Sequence, residues 1–305
     1  MNDQKKLVSI GLPIYNGANR VTRALGTLLA QTYKNFELII SDNASTDDTE
    51  SVCRSYAAKD VRIKYIRQKE NLGHIGNLYF LLKEAKGEYF MWVADDDWWN
   101  EKYIEKLVDA LDKNPDYGVA QSSFDRILTD GSFYERVLFV GDNNITGQGY
   151  YEVLKKFLIV GFGMNHYIYG IFRRGLLAKF VEKPLWECLS WERVFMSEVA
   201  LSTNFYSVEE VLRYSGVRRN KKARPKISYH SLRYSGDKKR PIFFMPYAFT
   251  RMLWNSFKRC VASRVVPLRR KFFIFIPFMQ IVWDQRKRYI GFSWRDFEKL
   301  FRKMG

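Results

Sequence analysis

Tyr89-Phe90-Met91-Trp92-Val93-Ala94-Asp95-Asp96-Asp97-Trp98-Trp99 is an apolar run that ends on three consecutive carboxylates and two tryptophans. Uncharged residues without alternation, introduced by Gly87, read as a strand covered on both faces. Three carboxylates at the carboxyl end of such a strand repel one another and are costly to hold there without a cation. Ligands of open α/β sheets bind just outside those strand ends. A hard divalent cation, Mg²⁺ or Mn²⁺, would neutralise the cluster and hold a substrate phosphate. The competing reading is a helix N-terminus near Glu101, where acidic residues favour the first turn. Three aspartates in series behind a buried strand favour the cation.

The segments before this run repeat one pattern. Leu7–Pro13 is an apolar strand closed by the turn Ile14-Tyr15-Asn16-Gly17, and Val21, Ala24, Leu25, Leu28 and Leu29 then recur at helical spacing. Phe36–Ser41 is a second strand with Asp42-Asn43 at its end. Ser45-Thr46-Asp47-Asp48 resembles a capping box for the next helix. Arg62–Ile66 is a third strand. Asn71-Leu72-Gly73-His74-Ile75-Gly76-Asn77 leads into a helix with Ile75, Leu78, Leu82 and Ala85 inward. After the aspartates come a helix through Tyr103, Ile104, Leu107, Val108 and Leu111, and a strand at Tyr117–Gln121. Alternating strands and helices predict an α/β fold with a mostly parallel sheet flanked by helices. Further on, 122–150 reads as a hairpin or loops, 150–160 as a helix and 161–165 as a turn. His166–Arg173 reads as a strand, Trp186–Thr203 as a helix and Phe205–Tyr214 as a last strand.

The chain has 305 residues and is 47% hydrophobic, enough for one large domain or two smaller ones. Its start, Met1-Asn2-Asp3-Gln4-Lys5-Lys6, does not read as a secretory signal. Cys53, Cys188 and Cys260 are far apart and lack metal-ligand spacing, which suits inert thiols in a reducing compartment. The net charge is +17, unevenly placed. Val211 to Gly305 holds 25 Lys+Arg against 4 Asp+Glu, a net of +21, so residues 1–210 carry a net of −4. A mildly acidic body with a basic tail points to an anionic partner surface.

Four segments in this order and spacing resemble glycosyltransferase family 2 enzymes with the GT-A, Rossmann-like fold. They are Val8–Asn16, Phe36–Asp48, Asn71–Asn77 and Gly87–Trp99. A weaker likeness continues through Gly170–Arg173 and Trp191–Leu212. The resemblance implies two halves, a nucleotide-sugar-binding half (1–121) and an acceptor-binding half (122–217); the remaining residues (218–305) lie outside it and read as a basic, aromatic, helical, membrane-associating extension. It implies that Pro13, Tyr15, Asn16, Asp42, Asn71, Gly73 and Asp95 bind a nucleoside-diphosphate sugar, with Asp42 toward the base and Asp95 toward the ribose. It places the metal, Mn²⁺ or Mg²⁺, on Asp96, with Asp97 assisting or orienting the acceptor. It makes Glu192 the catalytic base of an inverting transfer, with Asp97 the second candidate. Two departures stand out. Asn43-Ala44 replaces the family's Asp-Gly, and Gly76 stands near where many members carry a diphosphate-binding arginine, a place Lys69 or Arg67 could take.

Trp99 reads as structural, while Trp98 and Trp191 fit either a sugar-stacking or a packing role. His74 and His166 lack ligand partners at useful spacing. In the tail, Phe272 to Trp283 is uncharged but short and broken by Pro277. A spanning helix needs about 20 apolar residues, so an interfacial segment on an anionic membrane fits better. The expected enzyme is cytoplasmic, peripheral on the inner face of the plasma membrane. Its acceptor is a glycan or lipid-linked glycan, as in bacterial surface polysaccharide or lipopolysaccharide synthesis. A nucleotidyltransferase would want a Gly-rich loop with Lys or Arg after the first strand, and Asn16-Gly17-Ala18-Asn19-Arg20 is poor for it. A nucleic-acid-binding tail would leave the aspartates unexplained, so no nucleic acid partner is expected.

Overall fold

A computed structural model describes residues 5–128, 130–138, 164–181, 191–217 and 247–283, the last with gaps at 269–270, 272–273, 277 and 281–282. Two compact units divide the chain. The first holds residues 1–146, 166–183 and 203–223, and the second holds 147–165, 184–202 and 224–305.

The first unit is built on one sheet. β1 (Val8–Ile14), β2 (Phe36–Asp42), β3 (Ile63–Arg67) and β4 (Tyr89–Trp92) are joined by α1 (Ala18–Leu29), α2 (Thr49–Ala57) and α3 (Gly73–Glu84). β5 (Asp97–Trp99), α4 (Tyr103–Lys113), β6 (Tyr117–Leu128), β7 (Phe133–Val137), β8 (Ile171–Arg173), α5 (Arg174–Val181) and β9 (Asn204–Val217) follow. The strand order is β3-β2-β1-β4-β8-β6-β9-β5, with β7 beside β6. β1 is central, parallel to both β2 and β4, with Ile14 opposite Asp42 and Gly11 opposite Trp92. The ends of β1, β2 and β4 therefore open on the same sheet edge.

Sequence periodicity accounts for the packing. Val21, Ala24, Leu25 and Leu28 of α1, and Tyr103, Ile104, Leu107, Val108 and Leu111 of α4, are all buried. β1 and β4 are apolar on both faces because helices cover both. Trp92 shows how tightly the sheet is filled. Its ring meets Phe90 edge-on at 4.9 Å and Phe172 at 6.0 Å, and its indole N–H donates to the Leu78 carbonyl at 3.1 Å.

The sheet is mixed beyond β4. β4/β8, β8/β6, β6/β7 and β5/β9 are antiparallel, and β6/β9 is parallel. The expected fifth strand runs on to Leu128, so the expected boundary at residues 121/122 lies inside β6. The hairpin reading of the next stretch is met by β7. His166–Arg173 is not one strand: a 3₁₀ helix occupies Met164–Tyr169 and only Ile171–Arg173 is extended. Gly170 turns the chain there, its N–H donating to the Tyr167 carbonyl at 3.0 Å while Tyr167 and Ile168 are buried. The capping box does not form, since α2 starts after Asp48 without a side-chain cap bond. The expected helix at 150–160, residues 161–163 of the expected turn and residues 186–190 of the expected helix to Thr203 lie outside the described residues; the turn's last two residues, Met164 and Asn165, open the 3₁₀ helix.

In the second unit, α6 (Trp191–Ala200) packs on α7 (Tyr247–Ala262). Glu198 and Arg259, both nearly fully buried, form an ion pair across that contact. Glu198 is thus the buried partner of an arginine.

Candidate active site

Three strand ends and the loops behind them build the site. After β1, Tyr15 projects with 47% of its surface exposed, and Asn16 turns the chain with a left-handed φ of 50°. The Asn16 carbonyl Oδ1 accepts the Thr46 N–H at 2.8 Å, and its own N–H donates to Ser45 Oγ at 2.9 Å. Asn16 thereby splices the first loop to the second. Gly17 follows because a side chain there would strike the Asp95 carboxylate and Ile14.

The second loop is held by its own polar groups. Asp42 is fully buried; Oδ1 accepts the Ser45 N–H at 2.9 Å, and Oδ2 accepts Tyr65 Oη at 2.7 Å and Arg67 Nη1 at 3.1 Å. Tyr65 is pushed above the usual phenol range by burial and by that bond to Asp42. Arg67 also reaches Glu50 at 3.3 Å and the Ser45 carbonyl at 2.8 Å. A base meeting Asp42 must share these oxygens with Tyr65 and Arg67.

Asn43 explains one departure from the family pattern. Its amide donates to Asn71 Oδ1 at 2.8 Å and to the Gly73 carbonyl at 3.2 Å, and its Oδ1 accepts the Leu72 N–H at 2.8 Å. A carboxylate could not donate either bond. This ties Asn71 and Gly73 to the β2 end. Ala44, where the family has glycine, sits at φ 62°, a conformation glycine takes without strain.

The three aspartates have three environments. Asp95 is partly buried and pairs with Arg20 Nη2 of α1 at 2.5 Å. Asp96 is exposed at the rim. Asp97 does not end β4 but begins β5 and is 3% exposed. Its carboxylate lies 3.6 Å from buried Arg213 of β9 and accepts the Gly216 N–H at 3.3 Å. Burial pushes Asp97 up to about 6; Arg213 opposes the shift and Asp96 adds to it. Gly216 is needed where it stands, because a Cβ there would strike the Asp96 carbonyl.

Behind Asp97 is a closed aromatic wall. The Arg213 guanidinium lies over Phe124 at 4.5 Å and Tyr169 at 5.1 Å, and the His166 ring meets Phe124 at a tilt, 4.3 Å between centres. Burial and the nearby Arg213 and Arg126 charges push His166 down to about 2, so it is neutral. Trp99 is buried. Trp98 stacks on Tyr214 at 5.8 Å and carries Arg23 over its ring at 3.2 Å. Trp98 is thus engaged in packing within the first unit.

The donor set can be tested against a cation. Among the described residues no three or more His, Cys, Asp or Glu side chains surround a common position. Mg²⁺ and related ions that work on phosphates use one or two carboxylates, with phosphate oxygens and water completing the shell. Exposed Asp96 beside Asp95 fits that donor set; Asp97, buried against Arg213, is poorly placed to add a ligand. Glu192, in the first turn of α6, belongs to the second unit and is partly exposed. Arg20, Arg213, Gly17 and Gly216 were not singled out from sequence as site residues. Each matters through a partner at least 75 positions away, so no local pattern marks it.

The first unit's sheet and helices form a GT-A-type fold. Staphylococcus aureus TarS in complex with UDP-GlcNAc matches with a TM-score of 0.64 at 16% identity, over 92% of this chain and 73% of that one. A mannosyltransferase from Pyrobaculum calidifontis, in complex with GDP-Man and Mn²⁺, matches with a TM-score of 0.51 at 16% identity, over 95% and 84%. Residues 9–180 match the model of Glycosyl transferase family 2, and the chain belongs to that family. An uncharacterised glycosyltransferase of Rickettsia typhi is 43% identical over 112 residues, 37% of this chain and 34% of that protein. Glycosyltransferase GlyA of Streptococcus pneumoniae is 31% identical over 147 residues, 48% of this chain and 20% of that protein. The chain thus spans about a third or less of the length of these two relatives.

Proposed function

We propose that this chain is a metal-dependent inverting glycosyltransferase that moves a sugar from a nucleoside diphosphate to a hydroxyl of a glycan or lipid-linked glycan. The observation that carries the reading is exposed Asp96 beside Asp95 at the edge where β1 and β2 also end. Family membership and likeness to proteins in complex with UDP-GlcNAc, or with GDP-Man and Mn²⁺, support it.

Tyr15 offers an exposed ring to the base or ribose, beside Pro13 and the loop that Asn16, Asn43, Asn71 and Gly73 tie together. Asp95 accepts from the ribose, and Arg20, already bonded to it, fixes its orientation. Asp96 would hold the cation, Mg²⁺ or Mn²⁺, which would supply positive charge to offset the negative charge building up on the diphosphate leaving group. Asp97 acts as a positioning residue, anchoring β5 to β9 beneath Asp96 through Arg213 and Gly216. Glu192 takes the proton of the attacking hydroxyl. The basic C-terminal region holds the enzyme on an anionic membrane, at the cytoplasmic face, for bacterial surface polysaccharide assembly. No helix among the described residues is long and apolar enough to cross a membrane.

A panel of nucleotide sugars, with and without Mn²⁺ or Mg²⁺, tests the core of this reading. Donor turnover should require the cation, and Asp96→Ala should abolish it while far-UV circular dichroism stays unchanged. Full turnover in chelator, or in Asp96→Ala, would remove the metal assignment.

A further inference from the structure

The second unit carries a helical segment that is apolar on two faces. In the described part of 274–283, Ile274 and Phe278 are buried at 0% and 4%, one helical repeat apart. Phe275, Ile276, Met279 and Trp283 lie between and beyond them and are 50–66% exposed. The spacing from 275 to 279 to 283 is four residues at each step, which places these side chains in one stripe. A helix needs one apolar face to pack on its own unit, and a second, largely exposed apolar face offers area to another partner.

The stripe joins α7. Phe257 meets Phe275 at 6.0 Å and buried Phe278 at 5.2 Å, and Trp254, 57% exposed, stacks on Phe257 at 5.5 Å. Large apolar side chains that form a continuous exposed surface mark an interaction site. The charges around it identify the partner. From Tyr247 to Trp283 the sequence holds seven Lys and Arg and no Asp or Glu. Lys258 and Arg264 are exposed, and the Lys258 ammonium lies 5.9 Å from the Trp254 ring centre. Aromatic and aliphatic groups flanked by cations, with no anion among them, match a bilayer interface: headgroups take the cations and the acyl boundary takes the rings. A second copy of the same surface would set cation against cation.

We infer that Trp254, Phe275, Ile276, Met279 and Trp283 insert into the headgroup–acyl boundary of an anionic lipid bilayer. This rests on the membrane part of the function proposed above and deepens it: contact is by insertion of a defined face, with charge adding to it. Insertion carries a consequence that charge alone does not. Screening at high salt weakens headgroup attraction, and the apolar contribution remains.

The experiment uses the full chain and flotation with phosphatidylcholine vesicles, with and without about one-third phosphatidylglycerol. Wild type should float with the anionic vesicles, and a measurable fraction should stay bound in about 0.5 M salt. The triple variant Phe275→Ser, Ile276→Ser, Met279→Ser should bind anionic vesicles at least tenfold more weakly and lose the salt-resistant fraction. These side chains are exposed, so far-UV circular dichroism and donor turnover should be unchanged. Vesicles with brominated acyl chains should quench wild-type tryptophan fluorescence, and less so in Trp254→Phe, Trp283→Phe. Flotation of the triple variant equal to wild type would overturn the inference. So would equal wild-type binding to neutral vesicles. A lipid-free wild-type dimer made monomeric by the triple substitution, with flotation unchanged, would assign the face to a second copy and overturn it too. Flotation without turnover of any nucleotide sugar would defeat the enzymatic reading and leave the surface assigned.

Discussion

Replacing Asp97 with asparagine should remove a pH dependence from folding. Asp97 is almost fully buried, and its acidity constant shifts from the ordinary 3.8 up to about 6. Between those values the folded chain holds a proton that the unfolded chain has lost. Stability therefore falls as pH rises through this window, the reverse of an aspartate stabilised by its ion pair. A shift of roughly two units corresponds to about 3 kcal/mol over the whole window. Some of the fall has already occurred at mildly acid pH, so about 2 kcal/mol remains between about pH 4.5 and about pH 7.5. An asparagine at this position cannot titrate. At the lower pH the folded wild type already holds Asp97 neutral beside Arg213, as the variant does, so the missing counter-charge matters only at the higher pH, where the shifted acidity already includes it. The informative quantity is therefore the change in stability with pH, compared between the two proteins. Urea unfolding of wild type and Asp97→Asn at the two pH values, in chelator, measures it. Wild type should lose about 2 kcal/mol more than the variant on going to the higher pH. Equal pH dependence in both would refute burial as the dominant influence on Asp97. A wild type that gains relative to the variant would show that Arg213 dominates instead.

Two more outcomes concern the site. Ala44 sits at φ 62°; Ala44→Gly relieves a left-handed strain of about 1–2 kcal/mol against a glycine entropy cost of about 0.5–1. Urea unfolding should show a gain of about 0.5–1 kcal/mol, and a loss would mean the loop does not hold that conformation. Glu192→Gln keeps the side-chain shape but cannot accept a proton, so acceptor-dependent transfer should fall by about 10²-fold or more. Donor affinity by calorimetry should barely change, and near wild-type transfer would place the base elsewhere.

Much of the first unit was legible in the sequence. Val21, Ala24, Leu25 and Leu28 declared one face of α1, and the unalternating runs of β1 and β4 declared strands covered on both sides. Such patterns are local and are repeated within a few residues, so periodicity finds them. The order of these elements, together with Asp95-Asp96-Asp97, also pointed to the sheet edge that would carry chemistry. Periodicity was a poorer guide to His166–Tyr169, where buried aromatics wind into a 3₁₀ turn, and to the capping of α2. In both, side chains from distant segments decided the local backbone.

The tertiary structure decided how three identical residues differ. Asp95, Asp96 and Asp97 are indistinguishable in sequence. One pairs with Arg20, one faces solvent, and one lies beside Arg213 with its acidity shifted. The separation from Asp97 to Arg213 is set by β5 joining β9 at the far end of the sheet order. Nothing within several residues of either one encodes that pairing. The exposed stripe at Phe275, Ile276, Met279 and Trp283 is of the same kind. Sequence marks those residues as apolar and their surroundings as basic, but which apolar residues turn inward depends on where Phe257 meets Phe278. Burial is a property of packing partners, and packing partners are chosen by the fold as a whole.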